Sequence, residues 1–410
     1  MTDNNNNNNN NQGQTIIKKT KIEERHATWL ELFYDLVFVV TISQLSHYLF
    51  HEISLSNFFQ FLFLFIPVWW AWIGTAFFAT RFYSDDIVHR LLLLLQMGGA
   101  GAMAVNISGA FSNTFSGFAL SYAFMRLILV IEYVRVFRNT TRIRSELVHH
   151  PLIKRYIIGF SIAATIWLIS AFVPISEVRF MLWIIGLIID FATPITAGKL
   201  HSQFAPDISH LPERMGLFTL IVLGESIVGI VAGMSEQNWE IYTVTVASLG
   251  LCIFFSLWWL YFDSSGKLPI HILKEKGNIA RYYVWLYIHF PLVVAITAVG
   301  VGIRRLVSSD QHSGLANSDL WLICGSIAIS LISQAILHII SLENDYKNGS
   351  NYRKNFAIYR MVSAIAIISI PFILDQYSNI PVIISSILAG ICIIQIVLDL
   401  KLHKEHRIFK

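Results

Sequence analysis

The chain has 410 residues, of which 55% are hydrophobic and 14% charged, against about 25% charged in an ordinary soluble domain. A mean hydropathy of +0.57 and a formal net charge of +4 exclude a solvated enzyme, a disordered protein and a nucleic-acid binder. Cys252, Cys324 and Cys392 are scattered through apolar runs and form neither a disulfide framework nor a metal-ligating spacing.

In chain order, residues 1–24 open with an Asn run and have too little apolar surface to offset the entropy of ordering, so they are predicted to be a disordered tail. Apolar runs of bilayer length follow at 27–49, 58–80, 88–110, 117–137, 153–173, 180–198, 213–234, 241–262, 281–302, 319–341, 355–374 and 380–400. They lack the period-two alternation of barrel strands. The prediction is an all-α polytopic membrane protein with about twelve spans, closed by a basic tail at 401–410.

Positive charge tests that count. With span-edge residues assigned to the neighbouring connection, 25 of the 30 Lys and Arg fall in the tail, the even-numbered connections and the C-terminus. Three fall in the odd-numbered connections, and Arg126 and Arg360 fall inside spans. That asymmetry predicts an integral protein of the inner or plasma membrane with both termini in the cytoplasm.

The spans divide into two sets of six, 25–200 and 201–400. His26 and Leu32-Phe33 have counterparts in His210 and Leu217-Phe218, and Trp69-Trp70 in Trp258-Trp259. An even number of spans per half makes the repeat parallel.

Ionisable residues inside spans cost roughly 2.5–3.5 kcal/mol each on insertion scales and mark function by default. Glu31 and Asp35 share one face of the first span. Arg126 and Glu132 lie in the fourth, Asp190 in the sixth, Glu225 in the seventh and His289 in the ninth. Arg214 shares a face with Glu225 but lies about 16 Å away along the helix. An unpaired carboxylate there would take up a proton or a cation; the competing reading is pairing, with Arg126 satisfying one of them. Glu31, Asp35, Arg126, Asp190, Glu225 and His289 are the candidate substrate or ion sites.

Other features are structural in their simplest reading. Arg81, Asp85, Asp86, His89 and Arg90 form a polar cluster at helical spacing on the predicted cytoplasmic side. Ser326, Ser330, Gln334, His338 and Ser341 form a polar stripe along the tenth span, fit for a helix seam or a hydrated cavity. Trp69, Trp70 and Trp72 suit interfacial anchoring or packing between helices. Gly98, Gly99, Gly101, Gly224 and Gly229 permit close helix approach. No phosphate-binding Gly-rich loop, Cys-x-x-Cys pair or nucleophile elbow occurs.

Four runs together resemble the bacterial low temperature requirement A family. They are His26-Ala27-Thr28-Trp29-Leu30-Glu31-Leu32-Phe33-Tyr34-Asp35, Glu213 through Ser226, Trp258-Trp259-Leu260-Tyr261-Phe262-Asp263 and His289-Phe290-Pro291-Leu292-Val293. The resemblance spans about 25–400 and implies a multi-span membrane protein linked to growth in the cold, without assigning it an activity. Phe33-Tyr34-Asp35 is also similar to the Phe-Ser-Asp signature of the two-repeat endolysosomal potassium channels. That similarity implies six plus six spans and a pore lined by apolar side chains from the first helix of each repeat. Tyr34 stands in place of Ser, and Phe218-Thr219-Leu220 lacks the Asp.

Three functions remain open at this stage. A transporter or channel for a small solute or cation would use the intramembrane carboxylates. A lipid-active enzyme would use the cytoplasmic cluster. A scaffold or sensor would use neither. The expected partners are the lipid bilayer, a small molecule or cation and a second copy of the chain; no nucleic acid and no cofactor are expected.

Overall fold

The computed structural model describes residues 27–82, 86–143, 150–197, 210–237, 239–265, 279–309, 315–340, 347–374 and 380–408. Residues 1–26, with the predicted tail and His26, lie outside them, as do Asp85 and Ser341.

Among the described residues there are twelve α-helices, each long and apolar enough to cross a membrane. They are α1 (Trp29–His51), α2 (Leu55–Arg81), α3 (Ile87–Asn106), α4 (Phe115–Ile143), α5 (His150–Ser170), α6 (Ser176–Ile195), α7 (His210–Ser235), α8 (Ile241–Ser265), α9 (Ile279–Ser308), α10 (Asn317–Ile340), α11 (Lys347–Ile373) and α12 (Pro381–Ile408). A helix satisfies its own backbone, so these runs need no outside hydrogen-bond partners in hydrocarbon. Polar caps set several starts. Thr28 forms a capping box with Glu31, Ser54 accepts from the Asn57 amide, and Asp86 accepts from the His89 amide. Several helices outrun their apolar spans. α4 and α12 continue through Ile143 and Ile408, so most of the predicted basic tail belongs to the last helix. Hydropathy marks where lipid contact ends, not where helical hydrogen bonding ends.

The packing repeats. In the first six helices the main contacts are α1 with α2 and α3, α2 with α4, α3 with α4, α4 with α5, and α5 with α6. Each recurs six helices later: α7 with α8 and α9, α8 with α10, α9 with α10, α10 with α11, and α11 with α12. The two sets meet where α1 and α2 pack on α7 and α9. A single apolar core runs through this junction, with Phe38, Ile42 and Trp72 from one set beside Phe218, Val222 and Val299 from the other.

Side chains such as Phe33, Leu36, Val40, Ile188, Val228, Ile394 and Val397 are exposed outside this core, which gives the apolar belt a bilayer requires. Trp69, Trp70 and Trp72 are buried, so they pack between helices and do not anchor at an interface. Gly99 lies against Met125 and Phe124, but an added Cβ at Gly98, Gly101 or Gly224 would meet no neighbour within 4 Å. Those three glycines mark no close helix approach.

Candidate functional site

Charge pairs hold the junction of α1 and α7. Glu31 and Asp35 are one turn apart on α1, and His210 and Arg214 are one turn apart on α7. His210 Nε2 lies 3.1 Å from Glu31 Oε2. Arg214 donates through Nε to Asp35 Oδ2 at 3.3 Å and through Nη2 to Asp35 Oδ1. Both pairs are separated by 179 residues. Matching i and i+4 partners in the same order requires the two helices to run parallel. Trp72 of α2 donates its indole N–H to Asp35 at 2.7 Å, and Phe218 of α7 stacks on that ring. Below them the Ala27 amide donates to Glu213 at 3.1 Å.

Another buried pair joins α4 to α6. Arg126 Nε lies 3.0 Å from Asp190 Oδ2. The guanidinium also donates twice to the Tyr122 hydroxyl, at 3.0 and 2.9 Å, and that hydroxyl donates to Asp190. Both charged side chains are almost wholly enclosed, so neither has water as an alternative partner. Gly74 on α2 makes this possible, because a Cβ there would stand 2.6 Å from Arg126 Nη1.

Arg126 forms part of the wall of a narrow cleft of about 20 Å³, room for about one water molecule. Trp70, Ile73, Gly74 and Phe77 of α2 line one side. Tyr133, Tyr156, Phe160 and Pro194 come from α4, α5 and α6, and Tyr282, Tyr283, Leu286 and Tyr287 come from the start of α9. The cleft therefore lies between α9 and the first six helices. It sits toward the bundle end where α2 and α6 finish and α5 and α9 begin. Trp70 is eleven residues from the last residue of α2, about 16 Å along the axis.

The remaining candidates are dispersed. Glu225 is buried against Ser43 of α1 and forms no ion pair among the described residues. His289 is held in the core between the Trp285 carbonyl, 2.7 Å from Nδ1, and the Tyr261 hydroxyl, 3.2 Å from Nε2. In the polar cluster, His89 Nδ1 lies 2.9 Å from Glu132, and Arg135 reaches Asp86 at 2.7 Å and Glu132 at 3.3 Å. These contacts clamp α3 to α4. Arg81 donates to the Tyr156 hydroxyl at 3.0 Å and lies over the Phe77 and Tyr156 rings. Arg90 is exposed.

The geometry therefore brings Glu31 and Asp35 together with two residues outside the predicted set, His210 and Arg214. Arg126 meets Asp190, as the pairing reading requires. Glu225 and His289 belong to neither group. A further buried pair, Arg360 to Asp399 at 2.9 Å, ties α11 to α12 and was likewise absent from the predicted set.

The family model described as "Bacterial low temperature requirement A protein (LtrA)" matches residues 26–399. An uncharacterized protein of Rhizobium meliloti (strain 1021), RA0937, is 25% identical over 320 residues, covering 76% of this chain and 77% of that protein. With a match that takes in all twelve helices nearly end to end, the chain belongs to the bacterial low temperature requirement A family and has a multi-span membrane architecture.

Proposed function

We propose that the protein carries a small solute across the membrane through the cleft between α9 and the first six helices. The observation that carries this reading is the cleft itself: a recess inside an apolar bundle, placed where two similarly packed sets of helices meet. Binding sites at the junction of repeats are the common arrangement in secondary transporters, where rocking of one set against the other exposes the site alternately.

The halves are 25–200 and 201–400, related as a parallel repeat. The recurrence of contacts six helices apart and the parallel α1–α7 seam support that division. The positive-inside asymmetry puts both termini in the cytoplasm, and with them the cleft's end of the bundle. A low temperature requirement, which the family's description names, is the physiological setting of this reading.

Asp35 and Asp190 act as latches, each held by an arginine on another helix, so relative movement of those helices must break a charge pair. Glu225 is the carboxylate left for a proton or coupling cation. The clamp formed by Asp86, His89, Glu132 and Arg135 gives the enzymatic reading no support, because its charges are used to hold helices together.

The test is flux into liposomes containing the purified protein, over a panel of monovalent cations and small metabolites at two pH values. At least one solute should enter faster than into protein-free vesicles, and Glu225→Gln should weaken the pH dependence of that flux. Vesicles as tight as protein-free controls across the panel would overturn the proposal.

A further inference from the structure

We infer that His47 and His51, at the end of α1, form an open binding site for a divalent transition-metal ion of the zinc or copper kind. The inference goes beyond the transport reading and needs no solute passage.

The two residues are spaced i and i+4, so they share one face of the last turns of the helix. Both are exposed. Their Nε2 atoms are 3.0 Å apart, with the rings edge-on at 76° and their centroids separated by 4.5 Å. A straight N–H···N bond of that length would hold the centroids more than about 5 Å apart, so the nitrogens do not meet head on. They stand instead at the spacing of two ligands on one ion. With metal–nitrogen bonds of about 2.0–2.1 Å, neighbouring imidazole nitrogens are about 2.9 Å apart in a square-planar shell and about 3.3 Å apart in a tetrahedral one.

The turn that carries them is held from two sides. Asn57 of α2 donates to the Tyr48 carbonyl at 3.3 Å and to the Glu52 carbonyl at 2.6 Å. Arg305 of α9 donates to the Phe50 and His51 carbonyls. These are carbonyls that a helix end leaves without partners. A chelating pair on a fixed turn binds without first having to order its backbone.

The charges that act on His47 from other helices are Glu236, just past α7, and Arg304 of α9. They are paired with each other, so an arriving cation meets no uncompensated arginine. Glu52 adds an exposed carboxylate beside His51 in the chain. Among the described residues no third His, Cys, Asp or Glu completes the set, so water takes the remaining positions. Imidazole ligands favour zinc, copper and nickel over magnesium and calcium, which take oxygen. The pair lies at the opposite end of the bundle from the cleft, which is the outer face when the termini are cytoplasmic.

Titration calorimetry on the untagged full-length protein in detergent, freed of metal by a chelator, tests the inference. Zn²⁺ should bind with micromolar affinity and raise the melting temperature, while Mg²⁺ and Ca²⁺ should do neither. His47→Asn and His51→Asn should each weaken Zn²⁺ at least tenfold and leave the melting temperature of the metal-free protein unchanged, because both side chains are exposed. The joint variant His403→Asn with His406→Asn, which removes another histidine pair of the sequence, should bind Zn²⁺ as the parent does. Cu²⁺ bound to the parent should show coupling to two nitrogens by electron paramagnetic resonance, reduced to one in either single variant. Zn²⁺ affinity unchanged by both single substitutions, or no binding below millimolar Zn²⁺, would overturn the inference.

Discussion

Arg214 on α7 and Asp35 on α1, 179 positions apart in the chain, meet side on inside the bundle, with Trp72 completing the set of donors around the carboxylate. The pair joins two helices that run in the same direction. One turn below, Glu31 and His210 repeat the arrangement. Any movement of the second six helices against the first has to strain this seam.

Breaking one side of a buried pair leaves the other charge stranded, at a cost of about 3–5 kcal/mol. Asp35→Asn or Arg214→Gln alone should therefore lower the melting temperature sharply in detergent. The two substitutions together should recover at least half of the loss. A joint loss equal to the sum of the two single losses would show that Asp35 and Arg214 act separately.

Gly74→Ala is the smallest change that disturbs the cleft. Its Cβ would stand 2.6 Å from Arg126 Nη1, and that end is not free to yield because Asp190 and Tyr122 hold the guanidinium. Overpacking of this kind costs about 1–3 kcal/mol. Solute flux should fall at least tenfold while the protein still folds and purifies as the native species. Unchanged flux would mean that the position of Arg126 does not matter to transport.

Gln334 on α10 illustrates a different imbalance. It is wholly buried, and neither its Nε2 nor its Oε1 has a partner; Ser330 Oγ, one turn away, has none either. An unsatisfied buried amide costs about 1–3 kcal/mol. Gln334→Met keeps the shape and removes the polar atoms, so thermal unfolding should shift upward. A downward shift would mean that ordered water occupies the stripe.

The clamp between α3 and α4 should divide by exposure. Asp86 and Arg135 are partly solvated, at 47% and 24% side-chain exposure, so Arg135→Gln should cost under about 1 kcal/mol. Glu132 is buried and holds both His89 and Arg135. Glu132→Ala should lower the melting temperature several times further. The comparison is made by thermal unfolding of the two variants side by side.

The helices were legible because bilayer length and positive charge both leave one-dimensional traces. All twelve predicted spans overlap the observed helices, and the errors are at ends such as Ile143 and Ile408, where the chain stays helical after it turns polar. The charge partners were not legible in the same way. Positions along a single helix follow from its pitch, so Arg214 was related to Glu225 on its own helix. Its contact is instead with Asp35, on a helix whose placement no local pattern encodes. One usable signal was present: acids at i and i+4 on α1, and His210 and Arg214 at the same spacing on α7. The cleft was hidden for another reason. Its wall is built of tyrosine, tryptophan and phenylalanine, and aromatic residues near span ends suit interfacial anchoring equally well.

Solute passage through the bundle requires the cleft to communicate with water, and cysteine accessibility measures that directly. In a chain with Cys252, Cys324 and Cys392 replaced, Leu286→Cys places one thiol on the cleft wall. A membrane-impermeant maleimide should label it from the face that carries the chain termini, and adding a transported solute should change the labelling rate from the opposite face. A thiol that stays unreactive from both faces under every condition would mean a sealed core, and solute passage through this bundle would be ruled out.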